Sequence, residues 1–510
     1  MKKGISLFLA LLMLLSTVSC SDTGKENEEE QTGDAVQTPA GDSAAEETEA
    51  PDRFAGVDYD GRAFRIYTSV DTTDATNGDQ FIRGTEEMNG DIVNDAVFTR
   101  NLDVSEKLGI TLEFTEANFN FSNVLTELNN MVMSGIDAYD IMANDIRTFA
   151  SLSTDGKLHT VANTDILDFS RSYWYEDAMR DLEIVEGGLY CLIGDYFTDA
   201  LASCHALYVN ESMLENVQGD KEYINRLVFD GTWTYDAMME VMTLAMEDSD
   251  GNGEMVEGDV FGFTCIGTWG SAIPFLIGTG IEFISTEGDT IEYIFNNERS
   301  VKILEKMNEL FYSDAALTNI SASSPAGLRS NFSNGLTLIM GYNRLGDLAN
   351  LREIDFSAGV VPYPKLDAEQ ENYVTSMHDT SEIGAIPVTV PPAELDFVFT
   401  CLEVLSAETA KTVIPEYYEN ALKVKYVDGE DDAKMIDLIH DTIGSPFAVA
   451  YNTTLGDFML GVCFCTPLGN KSADFASAYK KNQKKSKKDL EKLMENVQAA
   501  VAMAQGAAAE

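Results

Sequence analysis

Between positions 63 and 145, segments with the apolar pattern of a strand alternate with segments that have the apolar spacing of a helix. This alternation constrains the fold more than any other feature of the sequence. The β-branched and aromatic run "AFRIYTSV" (63–70) predicts a strand. Residues 92–108 show helical spacing, and Gly109 follows as a stop signal. A strand ("ITLEF"), a helix near 124–133 and a strand ("AYDIMAND") complete the succession. The pattern is typical of a parallel sheet wrapped by helices, in which ligands bind at the carboxyl ends of the strands.

The remaining segments continue this alternation without an internal repeat. Further strands are predicted at 187–197, 206–214, 260–267, 336–342, 357–364 and 383–390. Further helices are predicted at 235–246, 301–310, 393–405, 432–442 and 472–494. The α/β body holds roughly 440 residues, enough for two or three domains.

The first 53 residues predict secretion. Residues 1–20 carry two lysines, an apolar run and small residues before Cys20, a pattern typical of a signal peptide and too short to span a bilayer. The ending "TVSC" resembles a bacterial lipobox, which predicts a lipid on Cys20; an ordinary cleaved signal is the alternative. Residues 21–53 are acidic and lack aromatic residues, so we expect a disordered tether. A lipid and a tether predict a body held at the extracellular face of the membrane.

Composition excludes several functional classes. The net charge of -51 excludes nucleic acid as a partner, because phosphate binding depends on lysine and arginine. The cysteines other than Cys20 show no metal spacing, and we expect mostly buried thiols. The sequence has no G-x-S-x-G, H-E-x-x-H, Walker or dinucleotide-binding motif, so we expect no enzyme. A secreted carbohydrate-active enzyme and a calcium-dependent surface adhesin are the alternatives from other classes.

Five stretches in order resemble one family. They are "GDIVNDAVFTRNLDVSEKLGITLEF", "YDIMANDIRTFASLSTDGKLHTV", "LYVNESMLEN", "DGTWTYDAMMEVMTLAMEDSDGNGEMVEGDVFGF" and "FSNGLTLIMGYNRLGDL". The chain resembles the lipoprotein-type solute-binding proteins of ABC importers, of the maltose-binding kind. The resemblance implies the two-lobed periplasmic-binding-protein type II fold of the α/β class, with a ligand cleft between the lobes. By analogy the N-terminal lobe comprises 54–205 plus 384–415 and the C-terminal lobe 206–383 plus 416–495, with a tail at 496–510.

The same resemblance implies a receptor function. Lobe closure would capture a carbohydrate, an oligosaccharide ahead of a monosaccharide, and deliver it to ABC permease subunits. A peptide or another polar solute is the alternative within this class. We expect a monomer, a membrane contact through the lipid, and no organic cofactor.

Candidate ligand-binding residues follow from the needs of a sugar, whose ring faces pack on aromatic groups and whose hydroxyls bond to polar groups. Trp269 and Tyr342 follow predicted strands, and Trp174 lies on a segment that often borders the cleft in the family. A buried core position is the alternative for Trp269. Asp145 and Arg147 match charged positions of the family, with a local ion pair as the alternative. The weaker candidates are Asp195, Asn343, Arg344 and His378.

The acidic loop "EDSDGNGEMVEGD" (247–259) has the spacing of a calcium loop. Its candidate ligands are Asp248, Asp250, Asn252, Glu254 and Asp259. A strand is predicted directly after it, where a calcium sensor of the EF-hand type has a second helix. The loop is therefore expected to hold a structural Ca²⁺ or to be an empty turn, and not to act as a sensor.

A run of lysines, "YKKNQKKSKKDLEKL" (479–493), stands out in so acidic a chain. The pattern favours the solvated face of a terminal helix. Contact with anionic lipid headgroups is the alternative.

Overall fold

The predicted alternation builds two sheets and a hairpin in the computed structural model of the protein. The strands are β1 (Arg62–Val70), β2 (Ile110–Asn118), β3 (Ile141–Asp145), β4 (His205–Asn210), β5 (Phe261–Thr264), β6 (Ile284–Glu287), β7 (Thr290–Tyr293), β8 (Ala316–Leu317), β9 (Thr337–Arg344), β10 (Ala358–Val361) and β11 (Glu382–Ala385). The first sheet has the order β11-β3-β1-β2, the second sheet has the order β10-β4-β9-β5-β8, and β6 pairs with β7.

The first sheet confirms the predicted parallel succession. β1 runs parallel to β2 and to β3, whereas β11 joins β3 in antiparallel orientation. Gly109 ends the helix before β2 in the left-handed conformation, at φ 60°, which glycine adopts without steric cost. The carboxyl ends of β1 and β3 therefore lie at one edge of this sheet.

The second sheet is mixed. β5 runs parallel to β9 and β8, and β4 pairs with β9 and β10 in antiparallel orientation. Its centre is buried, as the aliphatic and aromatic side chains of β4 and β9 require.

Helices cover both sheets. They are α1 (Asp79–Ile82), α2 (Ile92–Leu108), α3 (Phe121–Ser134), α4 (Ile146–Ser153), α5 (Glu176–Arg180), α6 (Asp199–Ala202), α7 (Glu211–Gln218), α8 (Tyr223–Phe229), α9 (Tyr235–Leu244), α10 (Trp269–Gly278), α11 (Glu298–Phe311), α12 (Pro325–Ser333), α13 (Leu395–Pro415), α14 (Glu430–Asp441), α15 (Phe447–Ala450), α16 (Thr466–Gly469) and α17 (Phe475–Ala507). α13 packs against α2 beside the first sheet, and α14 packs against β10 and α8 beside the second.

Two strand predictions are wrong in part. Residues 187–197 do not form a strand: Leu192 makes one isolated bridge to Gly384, and residues 195–197 form a 3-10 turn. The segment is apolar because it is buried, and burial alone does not supply a partner strand for a ladder. The strand predicted at 206–214 ends at Asn210, whose side chain caps α7 by accepting from the Met213 N–H at 2.9 Å.

The structure describes residues 52–70, 79–85, 87–118, 121–267, 269–287, 290–318, 325–351, 354–417 and 430–507. The predicted signal peptide, Cys20 and all but the last two tether residues lie outside this part. Within it, no helix combines the length and apolar character needed to cross a bilayer. The six cysteines of the described part are buried free thiols, as expected. The predicted lobe boundaries stay a prediction.

Candidate functional site

Two backbone segments cross between the sheets side by side. The His205 N–H donates to the Ser376 carbonyl at 2.9 Å, and the His378 N–H donates to the Ser203 carbonyl at 3.1 Å. Cys204 and Met377 form the antiparallel bridge between these two bonds. Residues 203–205 and 376–381, here called the hinge, thus lead the chain into β4 and back into β11.

Asp145 and Arg147 lie where the first sheet meets the hinge. Asp145 caps α4, since its carboxylate accepts from the Thr148 N–H at 3.1 Å and from the Thr148 hydroxyl at 2.6 Å. The Arg147 guanidinium bonds to Asp145 at 3.2 Å and to Asp379 of the hinge at 2.7 Å. Burial raises the pKa of Asp145, and the charge of Arg147 opposes this rise. This pair ties the start of α4 to the hinge.

Tyr342 approaches the hinge from the second sheet. The register of β4 and β9 shifts between Ala206 and Tyr208, which leaves an extra residue in β9, and Tyr342 adopts φ 61° there. A Cβ on Gly270 would stand 2.7 Å from the Tyr342 ring, so the ring lies directly on the first turn of α10. The ring centre is 6.5 Å from that of His378. A bulge next to a site commonly re-aims a side chain, and a non-glycine residue at positive φ is strained.

Asn343 and Arg344 bond to their own segment. The Asn343 amide donates to the carbonyls of Met340 and Gly341 at 3.0 Å each, and so satisfies two acceptors beside the bulge. The nearly buried Arg344 guanidinium bonds to Asp347 at 3.2 Å. These bonds fix the end of β9 on which Tyr342 stands.

Two histidines face each other in the hinge. The rings of His205 and His378 are 5.2 Å apart. His205 Nδ1 lies 3.0 Å from the Ser376 carbonyl, which it can contact only as a donor, and His378 Nδ1 accepts from the Thr380 N–H at 3.1 Å. Burial and then the neighbouring imidazole lower the pKa of His205 to about 3. Burial, followed by the charges of Arg344 and Arg147, lowers the pKa of His378 well below its usual range, so both rings are neutral at pH 7.

Trp174 and Asp195 lie on two neighbouring segments that backbone contacts join. Trp174 bridges Gly194, and the Asp195 N–H donates to the Tyr173 carbonyl at 2.9 Å. Trp174 is 3% exposed and its indole N–H donates to Glu403 at 3.0 Å, which favours a structural role for the ring. Burial raises the pKa of Asp195 to about 7.

Trp269 is the first residue of α10 and precedes Gly270, on which the Tyr342 ring lies. Its side chain lies outside the part of the chain that the structure describes. Its place at the site stays a prediction.

Further buried polar groups lie at the same edge of the first sheet, and two of them, Glu382 and Asp199, were not predicted from the sequence. The Thr68 hydroxyl donates to Glu382 at 3.4 Å, and the Glu382 N–H donates to Asp199 at 2.8 Å. Asn144 is fully buried, and neither atom of its amide has a partner within the described residues. Thr68 and Asn144 lie near the carboxyl ends of parallel strands, where ligands commonly bind, but no local pattern marks Glu382 or Asp199 as lying there too.

The acidic loop has a donor set that fits a hard cation. Carboxylate oxygens of Asp248, Asp250 and Asp259 lie within 4.8 Å of one another, close to the separation of opposite oxygens around Ca²⁺. The side-chain amide oxygen of Asn252 accepts from the Glu254 N–H at 2.7 Å. The strand β5 follows the loop, as predicted, so no second helix is present for a sensor to move.

No protein-family model and no curated protein matches this chain. Several solved structures match it in fold. The cyclic alpha-maltosyl-1,6-maltose binding protein of Arthrobacter globiformis is 13% identical, with 86% of this chain and 99% of that chain covered and a TM-score of 0.52. An ABC substrate-binding protein of Listeria monocytogenes in complex with cycloalternan is 14% identical, with 87% and 100% covered and a TM-score of 0.50.

A third similar structure is an ABC transporter solute-binding protein of Thermotoga lettingae bound with alpha-D-tagatose. It is 12% identical, with 84% of this chain and 100% of that chain covered and a TM-score of 0.51. At such identities the likeness concerns the fold. The protein therefore has the two-lobed α/β fold of the ABC substrate-binding proteins, which confirms the fold that the sequence resemblance implied.

Proposed function

We propose that this protein is a lipid-anchored, extracellular substrate-binding receptor of an ABC importer that captures a carbohydrate by lobe closure. The observation that carries the proposal is the convergence at the hinge: Tyr342 comes from the second sheet, and Arg147, from the helix after β3, pairs with Asp379 of the hinge. An aromatic face beside charged hydrogen-bonding groups is the combination that a sugar ring and its hydroxyls require.

The choice of a carbohydrate has a second support. The three similar structures named above have, in their own descriptions, cycloalternan, cyclic alpha-maltosyl-1,6-maltose and alpha-D-tagatose as ligands. All three are carbohydrates. An oligosaccharide and a monosaccharide both fall within this range, so the proposal commits to the class and not to a chain length.

The anchor and the delivery step rest on the sequence. A lipid on Cys20 and an acidic tether would keep the body close to the permease and raise its local concentration there. Closure of the two lobes around the solute would then present one conformation to the permease.

A panel of mono- and oligosaccharides in a thermal-shift assay tests the proposal, because a ligand that binds only the folded state raises the melting temperature. We expect a sugar to raise it, and Tyr342→Ala and Trp269→Ala to abolish the shift. Tyr223→Ala, which removes a partly buried tyrosine from α8, is the matched control and should retain it. If no sugar shifts the protein while a peptide does, the carbohydrate assignment fails. Hydrolysis of an oligosaccharide by the purified protein would instead favour an enzyme.

We further propose that the acidic loop holds a structural Ca²⁺ through Asp248, Asp250 and Asp259. The donor set described above supports this. The ion would stabilise the turn before β5 and take no part in solute binding.

A further inference from the structure

A continuous lysine face covers the outside of α17. It consists of seven exposed residues: Lys480, Lys481, Lys484, Lys485, Lys487, Lys488 and Lys492. At 3.6 residues per turn they occupy an arc of about 160° over a length of about 18 Å. The opposite side of the helix is buried through Ser486, Leu490 and Leu493.

Neighbouring carboxylates neutralise little of this charge. Lys485 lies 3.5 Å from Asp489 and Lys487 lies 3.9 Å from Glu491, both at helical spacing. Lys480, Lys481, Lys484, Lys488 and Lys492 have no ion pair within the described residues. Seven of the 34 basic residues thus stand within thirteen positions of a chain with 85 acidic residues.

We propose that the lysine face binds the anionic headgroup surface of a lipid bilayer. The acidic remainder of the protein is repelled by such a surface, so electrostatics orients this one face toward it. Each lysine near an anionic membrane contributes about fivefold in affinity. The long, flexible lysine side chains suit a diffuse charged surface better than a site of fixed geometry.

The composition of the face favours a membrane over a protein partner. Its exposed residues are lysines together with Gln483 and Glu491, without the tryptophan, tyrosine or arginine that anchor most protein interfaces. It also lacks exposed apolar residues, so the contact is electrostatic and peripheral rather than inserted.

The buried side of α17 holds the lysine face rigidly. At its start, the rings of Phe475 and Tyr479 lie 6.1 and 5.3 Å from Phe295, which follows the β6–β7 hairpin. Toward its end, Val497 lies so close to Gly188, in the loop before the Leu192 bridge to β11, that a Cβ there would stand 3.2 Å away. The lysine face therefore lies on a helix that packs against the body at both of its ends. Contact of the lysine face with a bilayer would fix the orientation of the whole body.

Cosedimentation with vesicles tests this proposal independently of solute binding. The chain from residue 20 to 510 carries Cys20→Ser so that no lipid is attached, and the vesicles contain phosphatidylcholine alone or with phosphatidylglycerol. We expect binding only to the anionic vesicles, with loss at high salt. Replacing Lys480, Lys481, Lys484 and Lys488 by Gln should weaken binding by about two to three orders of magnitude, at a factor of about five per lysine.

A matched control removes the same charge elsewhere. Its four positions, all exposed, are Lys221, Lys302, Lys411 and Lys434, again replaced by Gln. If this control variant binds anionic vesicles within about twofold of the parent protein, the proposal is supported, because each lysine of the lysine face contributes more than a twofold change in affinity. Replacing the four face lysines by Arg keeps the charge and should preserve binding, which distinguishes lost charge from a damaged helix.

The proposal is overturned by absence of binding to anionic vesicles, by equal losses in both Gln variants, or by equal binding to neutral vesicles. If the face variant binds vesicles normally but no longer stimulates its permease in proteoliposomes, the face docks a protein and the membrane assignment is wrong. A sugar-induced thermal shift in the face variant is expected to stay unchanged in every case, so failure here leaves the receptor proposal separately testable.

Discussion

Replacing His205 by asparagine tests how the hinge is held together. The ring is 4% exposed, its Nδ1 lies 3.0 Å from the Ser376 carbonyl, and the His378 ring is 5.2 Å away. An asparagine side chain places an N–H close to the position of Nδ1, so His205→Asn can keep the bond to Ser376. It cannot take up a proton, and this is the property that the variant removes.

The size of the effect follows from the pKa of His205. Burial and the neighbouring imidazole lower it to about 3 in the folded protein, whereas an unfolded histidine has a pKa of about 6.5. Between these values the unfolded chain binds the extra proton. The contribution of His205 to the free energy of unfolding is therefore fully present above pH 6.5 and decreases as the pH falls below that value. At pH 5 the loss attributable to His205 is about 2 kcal/mol, from 1.36 kcal/mol for each pKa unit.

Urea unfolding at pH 8 and at pH 5 measures this loss. Wild type should lose about 2 kcal/mol more than His205→Asn between the two values. The other titrating groups of the hinge are present in both proteins, so their contributions largely cancel. His440→Asn, at a partly exposed histidine of α14, is the control and should resemble wild type. Equal pH dependence in wild type and His205→Asn would refute the argument that a neutral, buried imidazole is held there.

Three further predictions concern other sites. Asp195→Asn should show the opposite sign: burial raises the pKa of Asp195 to about 7, so its contribution is present at low pH and is lost as the pH rises toward 7. The free energy of unfolding of the variant should therefore rise relative to that of wild type by about 1.4 kcal/mol per pH unit between pH 4 and 7. Urea unfolding measures this difference as well. Trp174→Phe removes the indole donor to the buried Glu403 and should cost about 1–3 kcal/mol without changing a sugar-induced thermal shift; a lost shift would place the ring in the ligand site. Calcium should raise the melting temperature of wild type but not of Asp259→Asn, and the absence of a shift in wild type would identify the loop as an empty turn.

Periodicity predicted the fold well because the elements that carry it are long and amphipathic or buried. β1, α2, β2 and β3 formed in the predicted order, and the helix stop at Gly109 was read from one residue. Thr234 is a residue type that favours helix starts, and its hydroxyl oxygen accepts from the Ala237 N–H at 3.3 Å at the start of α9. Such signals depend on residues that are close together in the chain, so they can be identified from a single sequence.

The site depended on contacts that no local pattern records. Arg147 was predicted beside Asp145, but its bond to Asp379 joins residues 232 positions apart. The bulge that re-aims Tyr342 depends on the register of β4 against β9, which sequence spacing does not determine. Residues 187–197 were read as a strand because burial and strand formation select the same residue types.

The geometry of α17 bears on how lobe closure would proceed in the proposed receptor. One end of the helix packs aromatic side chains beside the β6–β7 hairpin, while the other packs on Gly156 and Gly188. The buried side chains of Val497, Ala500 and Val501 fill the space over the two glycines. Interdigitated side chains resist sliding because shifted packing leaves voids. Both ends of α17 are packed in this way, so closure of the proposed receptor is expected to leave the helix and its lysine face fixed against the parts of the body that the helix contacts.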